Sequence, residues 1–525
     1  MARRSPLRAG SFSTDGGLDD DEDDACGLRE GWHHSRFQPY LKVLAKDLAP
    51  EAVRLGTASP RCCAEINVGH LLSNARACAA EAEKGGCRCM AVVKADAYGH
   101  GAAVVARSLH THCGIDFFAV ATLPEALELR AAGLVEPVRV LVLGASVPSE
   151  WPVYARFGLE LVVESSRTAM RLGCLPESAG PLRVHVMLNT GMNRIGLQTF
   201  DSTTETHGRK AESPRRATLR LDDVFKHLGP VPEDGADYPP PPPVMTRSDS
   251  LGSLGSAGRQ QEYHGVQIDG AVEVIAALAA APAVTLAGLC THMADATANI
   301  HRYTQRQFGR FRDVVVALSK RGVDVPCVHV ENSQTLLDAH VGPERMRQLL
   351  DATGGAATGY CRVGGALYGQ RHHACLKPVL SLRAQVRHVA RLEKGMTVGY
   401  DRSWIAQRDC IIATLSLGFA DGFPRSLSNQ GTVCIRGHQF KVAGKVCMDM
   451  LMVDLGELGT RGAGDVRVGD YAVLWGEGGA SLSDTADQLG TAQSDLTCDL
   501  SRRVARRYVN LPSDWVTPPD LTYAC

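Results

Sequence analysis

The stretch Met90-Ala-Val-Val-Lys94-Ala-Asp-Ala-Tyr98-Gly-His-Gly101 opens as an apolar run and breaks into a polar turn punctuated by glycine. The first four residues have the character of a buried strand, and helical periodicity resumes from Ala102 to Leu109. Lys94 falls where that strand would end. Desolvation disfavours the charged form of an amine, and the neutral form is the one that attacks a carbonyl. A lysine at a strand end can also lay its stem along apolar surface and reach water. The rest of the chain decides between these readings.

Outward from Lys94, short apolar runs alternate with helical stretches. The runs are Phe117-Phe-Ala-Val-Ala, Val138-Arg-Val-Leu-Val-Leu-Gly, Leu159-Glu-Leu-Val-Val, Val184-His-Val-Met-Leu-Asn, Val284-Thr-Leu-Ala-Gly-Leu-Cys, Pro326-Cys-Val-His-Val and Tyr360-Cys-Arg-Val-Gly-Gly. With the Lys94 strand they number eight, which predicts an α/β fold, a (β/α)8 TIM-like barrel over residues 61–375. A doubly wound sheet is the alternative. Barrel chemistry gathers at the carboxyl ends of the strands, and there the sequence sets Lys94, Asn189, His292, Asn332, Ser333 and Arg362. One polar residue at a strand end is an ordinary cap; several converging on one rim read as a site.

Two segments interrupt or precede this pattern. Residues 201–263 contain Pro239-Pro-Pro-Pro-Pro243 and a Ser/Gly-rich run, and read as a low-complexity insertion. Residues 1–60 read as a disordered or weakly structured extension, in which the acidic run Asp19–Asp24 follows the basic start without a signal peptide's apolar core. After Gln370 the texture becomes period two with glycine turns, as in Cys410-Ile-Ile-Ala-Thr-Leu and Gln439-Phe-Lys-Val-Ala. That predicts a smaller, mainly antiparallel β domain over residues 376–512, followed by a tail, 513–525.

Composition narrows the class. A formal net charge of -1 with 22% charged residues argues against nucleic acid or an anionic membrane as the main partner. No apolar stretch is long enough to span a bilayer. The 17 cysteines are scattered, with no C-x-x-C pair, so no metal site is expected and a reducing, cytoplasmic setting is.

The segment Ala91-Val-Val-Lys-Ala-Asp-Ala-Tyr-Gly-His-Gly101 closely resembles the pyridoxal-phosphate lysine motif of alanine racemases. Further matches follow in order: Thr190-Gly-Met-Asn-Arg-Ile-Gly196, Thr291-His292, Glu331-Asn-Ser333, Arg362-Val-Gly-Gly-Ala-Leu-Tyr-Gly369, Val398-Gly-Tyr400, Gly418-Phe-Ala-Asp-Gly-Phe-Pro-Arg425 and Val446-Cys-Met-Asp449. The resemblance implies a fold-type III enzyme with pyridoxal 5'-phosphate as cofactor, a small amino acid as substrate, and a head-to-tail homodimer. It implies that Lys94 holds the cofactor and is one of two acid/base groups, with Tyr400 of the partner subunit as the other. Inversion needs such a pair, one group on each face of Cα. By the same resemblance Arg362 faces the pyridine nitrogen and His292 lies against the ring. Tyr98, Asn332, Ser333, Gly364, Gly365 and position 494 belong to the cofactor site. Arg194 and the Met448 backbone amide meet the substrate carboxylate.

Four positions depart from the family pattern. Met187 replaces a commonly carbamylated lysine that supports the active-site arginine, Asn189 replaces an aspartate, and Phe419 replaces a gate tyrosine. In Thr491-Ala-Gln-Ser494-Asp, Ser494 replaces a phosphate-binding tyrosine, and relatives with a small polar residue there include serine racemases. The sequence therefore predicts an alanine racemase with added serine activity. An amino-acid decarboxylase of the same fold and a degenerate, inactive racemase stand as alternatives.

Overall fold

The computed structural model describes residues 60–199, 268–294, 301–337, 342–371, 373–457, 459 and 462–514. The predicted insertion, the N-terminal extension before Pro60 and the tail beyond Asp514 lie outside the described residues.

Eight parallel strands close into a barrel: Cys87–Val92, Phe117–Val120, Arg139–Val142, Glu160–Val163, Leu182–Asn189, Val284–Cys290, Cys327–Asn332 and Thr358–Val363. Each pairs with the next, and the eighth returns to the first with Gly359 opposite Cys87 and Val363 opposite Ala91. All eight runs expected from the sequence are there. Strands covered on both faces read as continuous apolar runs, and Phe117–Val120 is buried at every residue. Alternation still sorts the side chains. Met90, Val92, Phe117, Ala119, Leu141, Val162, Met187, Cys290, Cys327 and Tyr360 fill the barrel interior as one cluster. Ala91, Phe118, Val140 and Val184 point the other way, into the larger core shared with the helices. Each fully buried Leu or Phe in that core contributes roughly 1.5–3 kcal/mol.

The second domain is also a closed sheet. Leu380–Leu392, Cys410–Leu415, Leu451–Gly456, His438–Val442, Thr432–Ile435 and Tyr471–Trp475 form an antiparallel ring, because the long first strand pairs with both Cys410–Leu415 and Tyr471–Trp475. Chain order assigns residues 62–67 to the barrel that they precede. The strand Cys62–Asn67 instead lies antiparallel to Leu380–Ala384 and parallel to Ala505–Val509, so chain order misassigns it. Buried Asn74, on the next helix, fixes the join between the domains. Its Nδ2 donates to the carbonyls of Leu367 (3.0 Å) and Lys377 (2.8 Å), and its Oδ1 accepts from Lys377 N–H at 2.8 Å.

The backbone after the first barrel strand is unusual. Ala95, Asp96, Ala97 and Tyr98 all have φ of 52–55° and so form a left-handed turn. L-residues resist this conformation by roughly 1–2 kcal/mol each. Specific bonds offset the cost. Glu125 accepts the Ala95 amide at 2.7 Å, and Asp96 accepts the Ala102 amide at 2.8 Å, which starts the next helix. Arg506, from the β domain, donates to the Gly99 carbonyl at 3.0 Å. The turn aims Lys94 and Tyr98 at the barrel mouth.

Candidate active site

A cavity of about 960 Å³ opens at the carboxyl ends of the barrel strands and runs to the helices Leu482–Leu489 and Gln493–Cys498 of the β domain. Lys94, Tyr98, Arg194, His292, Asn332, Ser333, Arg362, Gly364 and Gly365 all line it. Nine of the residues expected from the sequence therefore meet in one space. Tyr400 and Met448 do not. They share a second concavity of about 460 Å³ with Gly399, Cys447, Asp449 and Met450. Ser494 lines neither; the neighbouring Gln493, Ala492 and Thr491 line the first.

Arg362 is 4% exposed and reaches only neutral acceptors among the described residues. Nη1 donates to His329 Nδ1 at 2.8 Å and to the His329 carbonyl at 2.5 Å. Nη2 donates to the carbonyls of Thr291 (2.6 Å) and Val330 (3.1 Å), with His292 Nδ1 at 3.3 Å. A permanent cation is thus held without a carboxylate partner, facing the cavity. His292 beside it is neutral: burial, then Arg362, Arg194 and Lys94, bring its pKa down to about 3.

The Asn332–Leu337 segment builds a cradle. Asn332 Oδ1 accepts the amides of Gln334 (2.9 Å) and Thr335 (3.2 Å), which starts the short helix Ser333–Leu337. Ser333 Oγ accepts the amides of Gly364 (2.9 Å) and Ala366 (3.3 Å). Its own proton is then left to donate into the cavity. A Cβ on Gly364 would come within 2.6 Å of Tyr98 Oη, so only glycine lets this hydroxyl and the backbone close round one point. Hydroxyl, phenol and glycine backbone suit a phosphate, and Lys94 stands in the same cavity for an aldehyde. The residues present fit pyridoxal 5'-phosphate.

The departures now have surroundings. Met187 is 5% exposed and lines the cavity, with Cys290 Sγ 3.8 Å from its Sδ. Arg194 is exposed, and among the described residues no hydrogen bond holds it. Asn189 organises the Thr190–Gly196 turn: Oδ1 accepts from Gly191 (3.1 Å) and Asn193 (2.9 Å), while Nδ2 donates to Asn193 Oδ1 at 2.9 Å. A carboxylate could not make that last bond. Phe419 is 39% exposed, and its amide donates to the Cys447 carbonyl at 3.0 Å, beside Met448.

One set of residues escaped the sequence reading. Glu160, His185 and His329 are buried in the barrel interior and lead to Arg362. His185 Nδ1 lies 2.9 Å from His329 Nε2, and His185 Nε2 lies 2.6 Å from Glu160 Oε2. Arg139 grips Glu160 at 2.7 and 2.8 Å. Their signal was present, since Val184-His-Val and Val328-His-Val put histidines into apolar strands. His185, Cys327 and His329 are close enough for a metal, but the two histidines spend the needed ring nitrogens on each other, between Arg139 and Arg362.

Comparison with known proteins covers both domains of the chain. Residues 66–240 and 259–372 match the family model for the alanine racemase N-terminal domain, and residues 379–508 match that for the C-terminal domain. The alanine racemase of Halothermothrix orenii is 30% identical over 432 residues, covering 80% of this chain and 90% of its own. Alanine racemase 2 of Bacillus subtilis is 29% identical over 435 residues, covering 80% and 88%. Among solved structures, the alanine racemase of Clostridium difficile 630 superimposes with a TM-score of 0.64 at 26% identity, over 86% of this chain and 96% of its own.

Proposed function

The chain belongs to the alanine racemase family of pyridoxal-phosphate-dependent isomerases, and we propose that it interconverts L- and D-alanine with two acid/base groups, Lys94 and the partner subunit's Tyr400. The observation that carries this reading is the pairing of Lys94 with a carboxylate-free Arg362 in one cavity. Bound pyridoxal 5'-phosphate would draw electrons from Cα and so make its proton removable. Lys94 would hold the cofactor's aldehyde carbon and, once released by substrate, move the α-proton on one face. Arg362 would present a fixed cation to the ring nitrogen, keeping it unprotonated and limiting side reactions such as transamination. A decarboxylase of the same fold would need a carboxylate there. Neutral His292 would lie against the ring, and Tyr98, Asn332, Ser333, Gly364 and Gly365 would hold the phosphate end.

Tyr400 lies outside the Lys94 cavity of its own chain, which supports its acting on a partner's site. Tyr400, Met448 and Met450 are 63%, 55% and 46% exposed and share one concavity, an apolar surface suited to cover by a second copy. A head-to-tail homodimer would bring Tyr400 and the Met448 amide to the partner's Lys94. Arg194 would meet the substrate carboxylate, supported by something other than residue 187. Among the described residues no helix is long and apolar enough to cross a membrane and the cysteines are free thiols; a cytoplasmic enzyme fits both.

Serine is the second substrate in this reading. The small residues Thr491, Ala492 and Ala486 line the far end of the cavity and leave room there, with Ser494 just behind them in the chain, and a hydroxyl-bearing substrate needs both volume and a polar partner. The test is chiral analysis of L-alanine and L-serine, incubated separately with cofactor-loaded protein in heavy water. D-product deuterated at Cα from both supports the full reading. D-alanine alone removes serine; no exchange with either removes the racemase reading. Ser494→Tyr should lower the serine-to-alanine rate ratio, and an unchanged ratio would acquit Ser494.

A further inference from the structure

We propose that Arg371 is the cationic ligand of the cofactor's phosphate, an inference that rests on the cofactor site described above. Among the described residues three arginines line the cavity, Arg194, Arg362 and Arg371. Arg362 sits on the last barrel strand, bonded to Thr291, His329 and Val330. Arg194 belongs to the Thr190–Gly196 turn. Arg371 adjoins the cradle: a Cβ on Gly365 would lie 3.2 Å from its Cζ and 3.3 and 3.4 Å from its two Nη atoms. The guanidinium therefore lies over the bare face of Gly365, one residue from the amide that Ser333 Oγ accepts.

Its pose leaves donors for an anion. Nη1 donates to the Gln370 carbonyl at 2.8 Å, and among the described residues no carboxylate pairs with Arg371. Gln370 extends the same wall. It is 2% exposed, its Nε2 donates to Thr497 Oγ1 at 2.9 Å, and its buried Oε1 has no partner. That orphan oxygen lacks a donor, which a water bound beside the phosphate would supply. Ser333, Tyr98 and the glycine backbone provide hydrogen bonds but no charge, so a dianion placed there would otherwise be uncompensated. A guanidinium compensates it with forked donors of matching geometry.

The experiment compares pyridoxal 5'-phosphate with pyridoxal, which lacks the phosphate, in binding to the apoprotein of wild type, Arg371→Gln and Arg371→Lys. Dissociation constants are read from the absorbance of the cofactor held at Lys94, and the ³¹P resonance of the bound phosphate is recorded. Arg371→Gln should weaken pyridoxal 5'-phosphate by about tenfold, leave pyridoxal unchanged and shift the ³¹P resonance, with Arg371→Lys recovering part of the loss. An unchanged phosphate affinity, or an equal loss for both ligands, would overturn the role of Arg371. Failure of the wild type to bind pyridoxal 5'-phosphate would overturn the cofactor site as a whole, and Arg371 with it.

Discussion

Arg362 Nη1 donates to His329 Nδ1 at 2.8 Å, and that bond sets the proton positions of a buried chain. With Nδ1 accepting, the neutral His329 carries its proton on Nε2 and donates to His185 Nδ1. His185 then carries its own proton on Nε2 and donates to Glu160. The nearest anion to the Arg362 cation on this path is thus two imidazoles away, which leaves the guanidinium's charge facing the cavity.

Glu160 anchors that chain, and its loss should be felt in stability. Burial raises its pKa, but His185 and Arg139 outweigh burial and hold it at about 2. Glu160→Gln leaves Arg139 without its anion and should cost roughly 3 kcal/mol in denaturant unfolding near neutral pH. The folded-state pKa is depressed, so the carboxylate's contribution is present above its ordinary value of 4.5 and is lost as pH falls toward 2. The gap between wild type and variant should shrink over that window. A gap that is absent at pH 7 would refute the anchoring role.

Two fully buried histidines should make the protein acid-sensitive at a higher pH. Burial lowers His100 to about 4, and burial with Arg362 lowers His329 well below 6.5. Both bind a proton more readily unfolded than folded. Stability should therefore be complete above pH 6.5 and fall on acidification, each histidine removing up to about 1.4 kcal/mol per pH unit until its folded pKa is reached. Equilibrium unfolding at pH 7 and pH 5 measures this. Equal stabilities would show that the imidazoles protonate in place.

Gly418 is predicted to be irreplaceable because of what lies against it. A Cβ there would stand 2.4 Å from the carbonyl oxygens of both Cys447 and Met448, which are backbone atoms. Its amide also donates to buried Asp421 at 2.9 Å, and Asp421 is gripped by Arg61 and Arg503. Gly418→Ala should push the Met448 segment aside, destabilise by roughly 2 kcal/mol, and raise KM more than it lowers kcat. An unchanged KM would mean that the Met448 amide does not meet substrate.

The barrel was legible because eight apolar runs alternate with helical stretches, and the rim was legible because polar residues end those runs. What the sequence could not supply was pairing. Nothing in Cys62-Cys-Ala-Glu-Ile-Asn says that its partner is Leu380–Ala384, more than three hundred positions later. Nor does Arg371, in Gln-Arg-His-His, carry a pattern of its own; only the fold sets it over Gly365. Ser494 shows the converse, a position identified by resemblance whose helix turns its neighbour Gln493 into the cavity instead.

In the proposed mechanism Lys94 and Tyr400 act on one substrate from different subunits. Its most direct test is to mix two inactive variants, Lys94→Ala and Tyr400→Phe, under conditions that let dimers reassort, and to measure alanine racemisation. Half the dimers become mixed, and each mixed dimer holds one site with both residues intact, so activity should return to about a quarter of the wild-type rate. A mixture as inactive as its parts would contradict the claim.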